Sequence, residues 1–299
     1  MTRARQAVPL GQQAQPAAKK TRARRSAWRT LRRNPIALAA LAGFVLLVAA
    51  VILAPLITPI PPNAHNYDHL LEPPSRAHPF GTDDLGRDIL SRVLWGGRES
   101  LRVAVMAIVV AMTGGTVVGL VSGYFGGWLD TLIMRIVDVL LAFPSILLLL
   151  SIVAALSPNL GTVLIALGIS AIPSFSRLVR GSVLAARNYE YVTAARVLGA
   201  SDAYIMFTQI LPNIMAPLIV YAAVGLGGAI LTTAGLSYIG LGAQPPSPEW
   251  GAMLNAGRTH LRDAWWISVF PGLAIFLAVL FVNLLSDGLR DALDPKLRL

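Results

Sequence analysis

Long apolar runs broken by short polar intervals dominate this chain. Six runs stand out, at about 36–57, 100–122, 129–156, 160–175, 212–236 and 265–285. Each is near the ~20 residues that cross a bilayer as a helix. Their apolar positions are continuous rather than alternating, which argues against a strand-built barrel. In hydrocarbon every backbone N–H and C=O needs a partner within the protein, so the runs are expected to be helices. The pattern predicts an all-α membrane protein, a polytopic bundle of six transmembrane helices.

The intervals between runs divide the chain further. Residues 1–35 form one segment and 36–299 a membrane domain. Within that domain, 59–98 and 242–264 read as loops on one side, and 177–211 as a polar loop on the other. A Gly-rich turn (Gly123–Trp128) and Ser157-Pro158-Asn159 join the remaining runs. Pro144 and Pro173 are expected to kink their spans.

Composition supports this reading. The chain is 55% hydrophobic and 13% charged, with a mean hydropathy of +0.63. A soluble domain would carry about 25% charged residues. The net charge of +10 lies wholly in the first segment, where Arg3, Arg5, Lys19, Lys20, Arg22, Arg24, Arg25, Arg29, Arg32 and Arg33 meet no acid. That composition predicts a disordered tail. Beside an apolar run it marks the cytoplasmic face and contacts anionic lipid, rather than nucleic acid. Six spans then put both termini in the cytoplasm. With no cysteine, neither a disulfide nor a thiolate metal site is available.

The loop 177–211 carries the most chemical information. Glu190 to Leu198 is rich in helix formers, and Gly199 is suited to end a helix in the left-handed conformation. Ser201 can cap a second helix with Asp202 in its first turn. Leu211-Pro212 places proline where its missing N–H costs little. Ala194 and Ala195 offer a shallow face that could enter a partner's groove. On the residues alone, a plain interfacial connector remains the alternative.

Other candidates are weaker. Arg135 and Asp138, one turn apart, suggest a local ion pair or a gating contact. Gly115, Gly119 and Gly123 at four-residue spacing permit close helix approach, within the bundle or at a subunit interface. Trp265 and Trp266 suit an interfacial belt. His65, His69, His78 and His260 lack a ligand-like spacing, so no metal site is expected. Neither His-Glu-x-x-His nor Gly-x-Ser-x-Gly occurs. The only lysines, Lys19, Lys20 and Lys296, lie outside any Gly-rich phosphate loop. The chain is therefore expected not to be an enzyme. A membrane-embedded enzyme and a channel working alone are the rival classes. Apart from Arg135 and Asp138, which fall close to the inner interface, the first lacks paired ionisable residues in its spans, and the second has no use for the polar loop.

Four segments carry a resemblance. Thr193-Ala194-Ala195, then Gly199 and Leu211-Pro212, resembles the coupling loop of ABC importer permeases, with Thr193 in place of the usual Glu and Glu190 one turn earlier. His78-Pro79-Phe80-Gly81-Thr82-Asp83-Asp84-Leu85-Gly86-Arg87-Asp88 is similar to the loop after the first span in dipeptide, oligopeptide and nickel permeases. The stretch from Leu241 to Met253 and the ending from Asp287 to Pro295 are similar to theirs too, in the C-type subunit. The likeness covers about 30–299.

The resemblance implies a bacterial inner-membrane subunit that translocates dipeptides or short oligopeptides, or else glutathione or nickel. It implies four partners: a related permease, two ATPase subunits and an extracytoplasmic substrate-binding protein. ATP and Mg2+ would reside in the ATPases, with no cofactor bound by this chain. Glu190, Thr193, Ala194, Ala195, Gly199, Leu211 and Pro212 would form the ATPase-coupling loop. Apart from the resemblance, the mixed charges of the loop 59–98 suggest a docking surface for the binding protein, with Gly81, Thr82, Asp83, Gly86, Arg87 and Asp88 as its candidates, or else a lid folded on itself.

Overall fold

A computed structural model describes residues 34–293. The basic tail and the end of the C-terminal segment lie outside the described residues. Helix α1 (Pro35–Ile52) is capped by Asn34, whose Oδ1 accepts from the N–H groups of Ile36 and Ala37 at 3.1 Å. A short helix, α2 (Ala54–Ile57), follows. After a compact loop, α3 (Ile89–Phe125) runs for 37 residues. Two helices, α4 (Gly127–Ala142) and α5 (Ser145–Leu156), come next. The long α6 (Leu160–Ala186) leads to α7 (Glu190–Val197). One turn, α8 (Asp202–Tyr204), passes through a π-helical segment (Ile205–Ile210) into α9 (Leu211–Tyr238). The chain closes with α10 (Trp250–Gly257) and α11 (Trp266–Leu293). Among the described residues five helical runs can each cross a membrane, or six if α4 and α5 count as one broken span.

The six apolar runs all become helical, but their limits differ from expectation. Helix α3 starts at Ile89, so the loop expected over 59–98 ends at Asp88, which caps the helix by accepting from Ser91 N–H at 2.7 Å. Charges at Arg92, Arg98 and Glu99 hid this extension from a hydropathy reading. Arg92 donates to Pro62 O and Asn63 Oδ1, and Arg98 to Val51 O, so the helix continues past the apolar zone. Likewise α6 continues to Ala186, well beyond the expected end at 175. Its arginines are paired with α4: Arg180 grips Asp130 through two bonds of 2.6 Å, and Arg177 meets Asp138. The polar loop expected from 177 thus begins at 187. The local Arg135–Asp138 pair is replaced by this link between helices.

The expected single span 129–156 is broken. Helices α4 and α5 are bent by 89° at Phe143-Pro144. Phe143 is extended (φ −81°, ψ 137°), as a residue before proline prefers. Pro173, by contrast, sits inside α6. The span expected from 212 is helical from Asp202 onward. The π turn falls just ahead of Pro212, with Leu211 N–H bonded to Met206 O. A wider turn there gives the proline ring room that an α-turn denies it.

Gly115, Gly119 and Gly123 all face α6. A methyl group on Gly115 would come within 2.3 Å of Phe175 Cβ, and one on Gly119 within 2.5 Å of Ser176 O. These glycines therefore pack α3 on α6 inside the bundle. The helices create two poles. One carries 58–88, the turn at 157–159 and 239–265. The other carries Asn34, the turn at Gly126 and the segment 187–201. A central core (Val103, Ala107, Val163, Ala166, Ile230, Trp250) separates apolar clusters at each pole.

Candidate functional site: the α7 pole

Helix α7 is anchored on its inner side and bare on the other. Val192 is fully buried against Val183, Ile205 and their neighbours. Asn213 donates to the Tyr191 hydroxyl at 3.1 Å, tying α7 to α9. Burial pushes the Tyr191 phenol above its ordinary value. The helix ends as its sequence foretells. Gly199 sits at φ +78°, its N–H bonds to Arg196 O, and Ala200 N–H reaches Ala195 O at 3.1 Å. This double bond pattern is a Schellman close. Ser201 Oγ then accepts from Tyr204 N–H.

A further link joins this segment to α3. The Tyr124 hydroxyl donates to Asp202 Oδ1 at 2.6 Å, and the Arg196 guanidinium lies 5.9 Å from the Tyr124 ring. Arg187 donates to Gly123 O at 2.9 Å. Helices α3, α6, α7 and α9 therefore meet as one unit at this pole.

The outer face of α7 forms a shallow groove of about 540 Å³ lined by Asn188, Glu190, Thr193, Ala194, Val197 and Leu198. Val197 is 82% exposed and Leu198 86%. Two neighbouring aliphatic side chains this bare, on a polar helix, mark a contact surface better than scattered exposed leucines do. Of the seven residues singled out by resemblance, the structure brings Glu190, Thr193 and Ala194 together here. Ala195 turns inward, against the expectation of a joint Ala194–Ala195 face. Gly199 forms the cap, Leu211 packs toward the pole's core, and Pro212 is exposed at the start of α9. Val197 and Leu198 were missed because apolar residues in an apolar chain carry no signal until their exposure is known.

At the opposite pole, 81–88 is not an open surface. Gly81, Thr82, Asp83, Gly86, Arg87 and Asp88 are all buried; Asp84 is the exposed member. Asp83 Oδ1 accepts from the N–H groups of Leu85 and Arg87, while Oδ2 pairs with Arg87 Nε at 2.7 Å. His78 meets Asp88 at 2.9 Å, and Trp266 Nε1 donates to Thr82 O at 2.9 Å. Gly86 has φ +70°, and a methyl group there would sit 1.8 Å from Asn66 O. The expected docking residues are a self-contained clasp, because buried charges are tolerable only when paired. Trp266, expected in an interfacial belt, is buried in the same clasp; Trp265 remains half-exposed.

Two titrating groups accompany this pole. His69 donates through Nδ1 to Glu72 Oε1 at 2.7 Å, and this bond to a carboxylate raises the imidazole above its ordinary value. Burial raises Glu249, partly offset by bonds from Gly251 and Ala252 N–H and from the hydroxyls of Ser237 and Ser100. Glu249 caps α10 and accepts from Ser100 Oγ at 2.9 Å, fastening the second loop to α3. Among the described residues no three His, Asp or Glu side chains converge as a metal site.

Comparison with known proteins agrees with this architecture. The family model described as "Binding-protein-dependent transport system inner membrane component" matches residues 115–299, and one described as "N-terminal TM domain of oligopeptide transport permease C" matches 23–74. A glutathione transport system permease protein, GsiD, of Pectobacterium atrosepticum is 48% identical over 275 residues, covering 92% of this chain and 91% of that protein. A dipeptide transport system permease protein, DppC, of Alkalihalophilus pseudofirmus is 47% identical over 274 residues, covering 92% and 90%. A di/tripeptide transport system permease protein, DppC, of Pseudomonas aeruginosa is 44% identical, covering 91% of each. The solved structure of the MetNI methionine ABC transporter in inward-facing conformations has a chain with TM-score 0.55 and 19% identity, covering 68% of this chain and 96% of that one. That likeness shows the fold. The chain belongs to the family of inner-membrane components of binding-protein-dependent transport systems. It is a multi-pass inner-membrane permease component.

Proposed function

We propose that this chain is one permease subunit of an ATP-driven importer that carries dipeptides or short oligopeptides into the cell. The α7 pole faces the cytoplasm and the clasp pole faces outward, so both termini are cytoplasmic. The observation that carries this reading is the bare Val197–Leu198 tip beside Glu190, Thr193 and Ala194. It is an exposed apolar contact on a helix rigidly joined to α3 and α9.

In this reading α7 seats in a cleft of an ATPase subunit. ATP binding, with Mg2+, draws the two ATPases together, and the shared α3–α7–α9 unit moves with them. Tilting these helices switches the cavity from outward to inward access. Energy comes from the partners; the chain hydrolyses nothing itself. A second, related permease completes the path, and a binding protein delivers cargo outside. Peptide cargo is supported by the relatives named for dipeptides and tripeptides. Glutathione, itself a small peptide, is the alternative, since an equally similar relative is named for it. Uptake by reconstituted complex, with labelled dipeptide against labelled glutathione, tests the cargo. Uptake that persists without any ATPase subunit would overturn the importer reading.

A further inference from the structure

Two cavities lie in line along one stripe of α6. Near the clasp pole, a cavity of about 450 Å³ opens beside Leu160, Gly161 and Leu164, with Glu99 and Arg102 of α3 on its wall. Deeper, a cavity of about 460 Å³ opens beside Leu167, Ser170 and Ser174 of the same helix. These positions recur every three or four residues, so they share one face. At 1.5 Å per residue the stripe from 160 to 174 is about 21 Å long, most of a bilayer's hydrocarbon depth.

The deeper cavity sets five hydroxyl side chains into an otherwise apolar lining. Ser145, Ser170, Ser174, Tyr221 and Thr232 line it, and none of its lining residues is charged. Ser170 and Thr232 donate to their own helices, at Leu167 O and Gly228 O. The hydroxyls of Ser145, Ser174 and Tyr221 make no hydrogen bond among the described residues. Tyr221 is held edge-on against Phe175, centroids 4.9 Å apart, which fixes its ring. Unspent hydroxyls facing lipid would gain nothing. Facing a water-filled path they are useful, because a hydroxyl both donates and accepts.

We propose that this α6 stripe is the chain's share of the cargo track, and that Ser145, Ser174 and Tyr221 hold the backbone amides of a passing peptide. Such hydroxyls serve an N–H or a C=O equally, whatever the side chains. The charged mouth at Glu99 and Arg102 gives way to a neutral interior, which offers no deep ionic trap to slow release. This inference rests on the importer reading.

The chain has no cysteine, which makes the test direct. In membranes holding the assembled importer, Ser174→Cys and Ser170→Cys should react with a membrane-impermeant methanethiosulfonate. Val45→Cys, exposed on α1, should not. Peptide, binding protein and ATP together should slow the reaction at 174. In transport assays, Ser174→Val with Tyr221→Phe should lower the peptides carried per ATP, by about fivefold for each hydroxyl lost. Tyr221→Phe keeps the ring against Phe175, so loss of folding does not confuse the result. A thiol at 174 no more reactive than at 45, or an unchanged yield per ATP, overturns the track. A native complex with no peptide-dependent ATP hydrolysis instead overturns the importer reading itself.

Discussion

The Tyr124 hydroxyl donates to Asp202 Oδ1 at 2.6 Å, and this bond joins the end of α3 to the turn that follows α7. With the Arg196 contact on the same ring, it links the segment that carries the exposed groove to the 37-residue α3. A hydrogen bond to a carboxylate contributes about 1.5–3 kcal/mol. Tyr124→Phe keeps the ring near Arg196 and removes the hydroxyl that bonds Asp202 and meets the Arg196 guanidinium. ATP hydrolysis should continue in the assembled complex while uptake falls, and the ratio of peptide carried to phosphate released measures it. An unchanged ratio would show that the bond does not transmit motion.

Gly199 gives a second test of the same unit. Nothing lies within 4 Å of a methyl group built there, so substitution meets no clash. Its cost is conformational, about 1–2 kcal/mol for an L-residue held in the left-handed region. Gly199→Val should therefore loosen the α7 close and impair uptake more than Gly199→Asn, which tolerates that region. Equal uptake by the two variants would contradict a fixed cap.

The clasp at the other pole should matter for stability rather than for partner contact. Asp83→Asn leaves Arg87 and Arg92 short of their buried carboxylate, an imbalance that costs about 3–5 kcal/mol. Thermal unfolding in detergent should drop sharply for Asp83→Asn. Asp84→Asn, at the exposed corner, should leave it nearly unchanged.

Much of this organisation is legible in the sequence, and the failures have physical causes. The six apolar runs, the Gly199 close and the Ser201 cap follow from local chemistry. The Phe143-Pro144 break was signalled by proline, but its 89° bend depends on the surroundings. The early start of α3 and late end of α6 were hidden because Arg92, Arg98, Arg177 and Arg180 read as loop residues. Their partners, on other elements, keep them helical. The motif 81–88 drew attention as a docking face because its charges are dense. Burial, which no local pattern reveals, makes it a clasp.

Glu249 gives the clasp pole a pH dependence of definite sign. Burial raises its folded pKa above the unfolded value near 4.5. The folded state then binds more protons between the two values, so stability falls as pH rises through the folded pKa. Below the unfolded value the contribution is complete. Glu249→Gln, a neutral isostere, should flatten this slope in thermal unfolding measured across pH. A slope unchanged in the variant would assign the effect to other groups.

The central claim is that the bare tip of α7 is where the partner ATPase sits. Cross-linking from single cysteines in the assembled, membrane-embedded complex tests it most directly. Leu198→Cys should join the ATPase subunit, with a yield that changes when ATP is added, and Asp84→Cys at the far pole should not. Cross-linking of the ATPase from position 84, or a thiol at 198 equally open to aqueous reagent with and without the ATPase, would contradict the account.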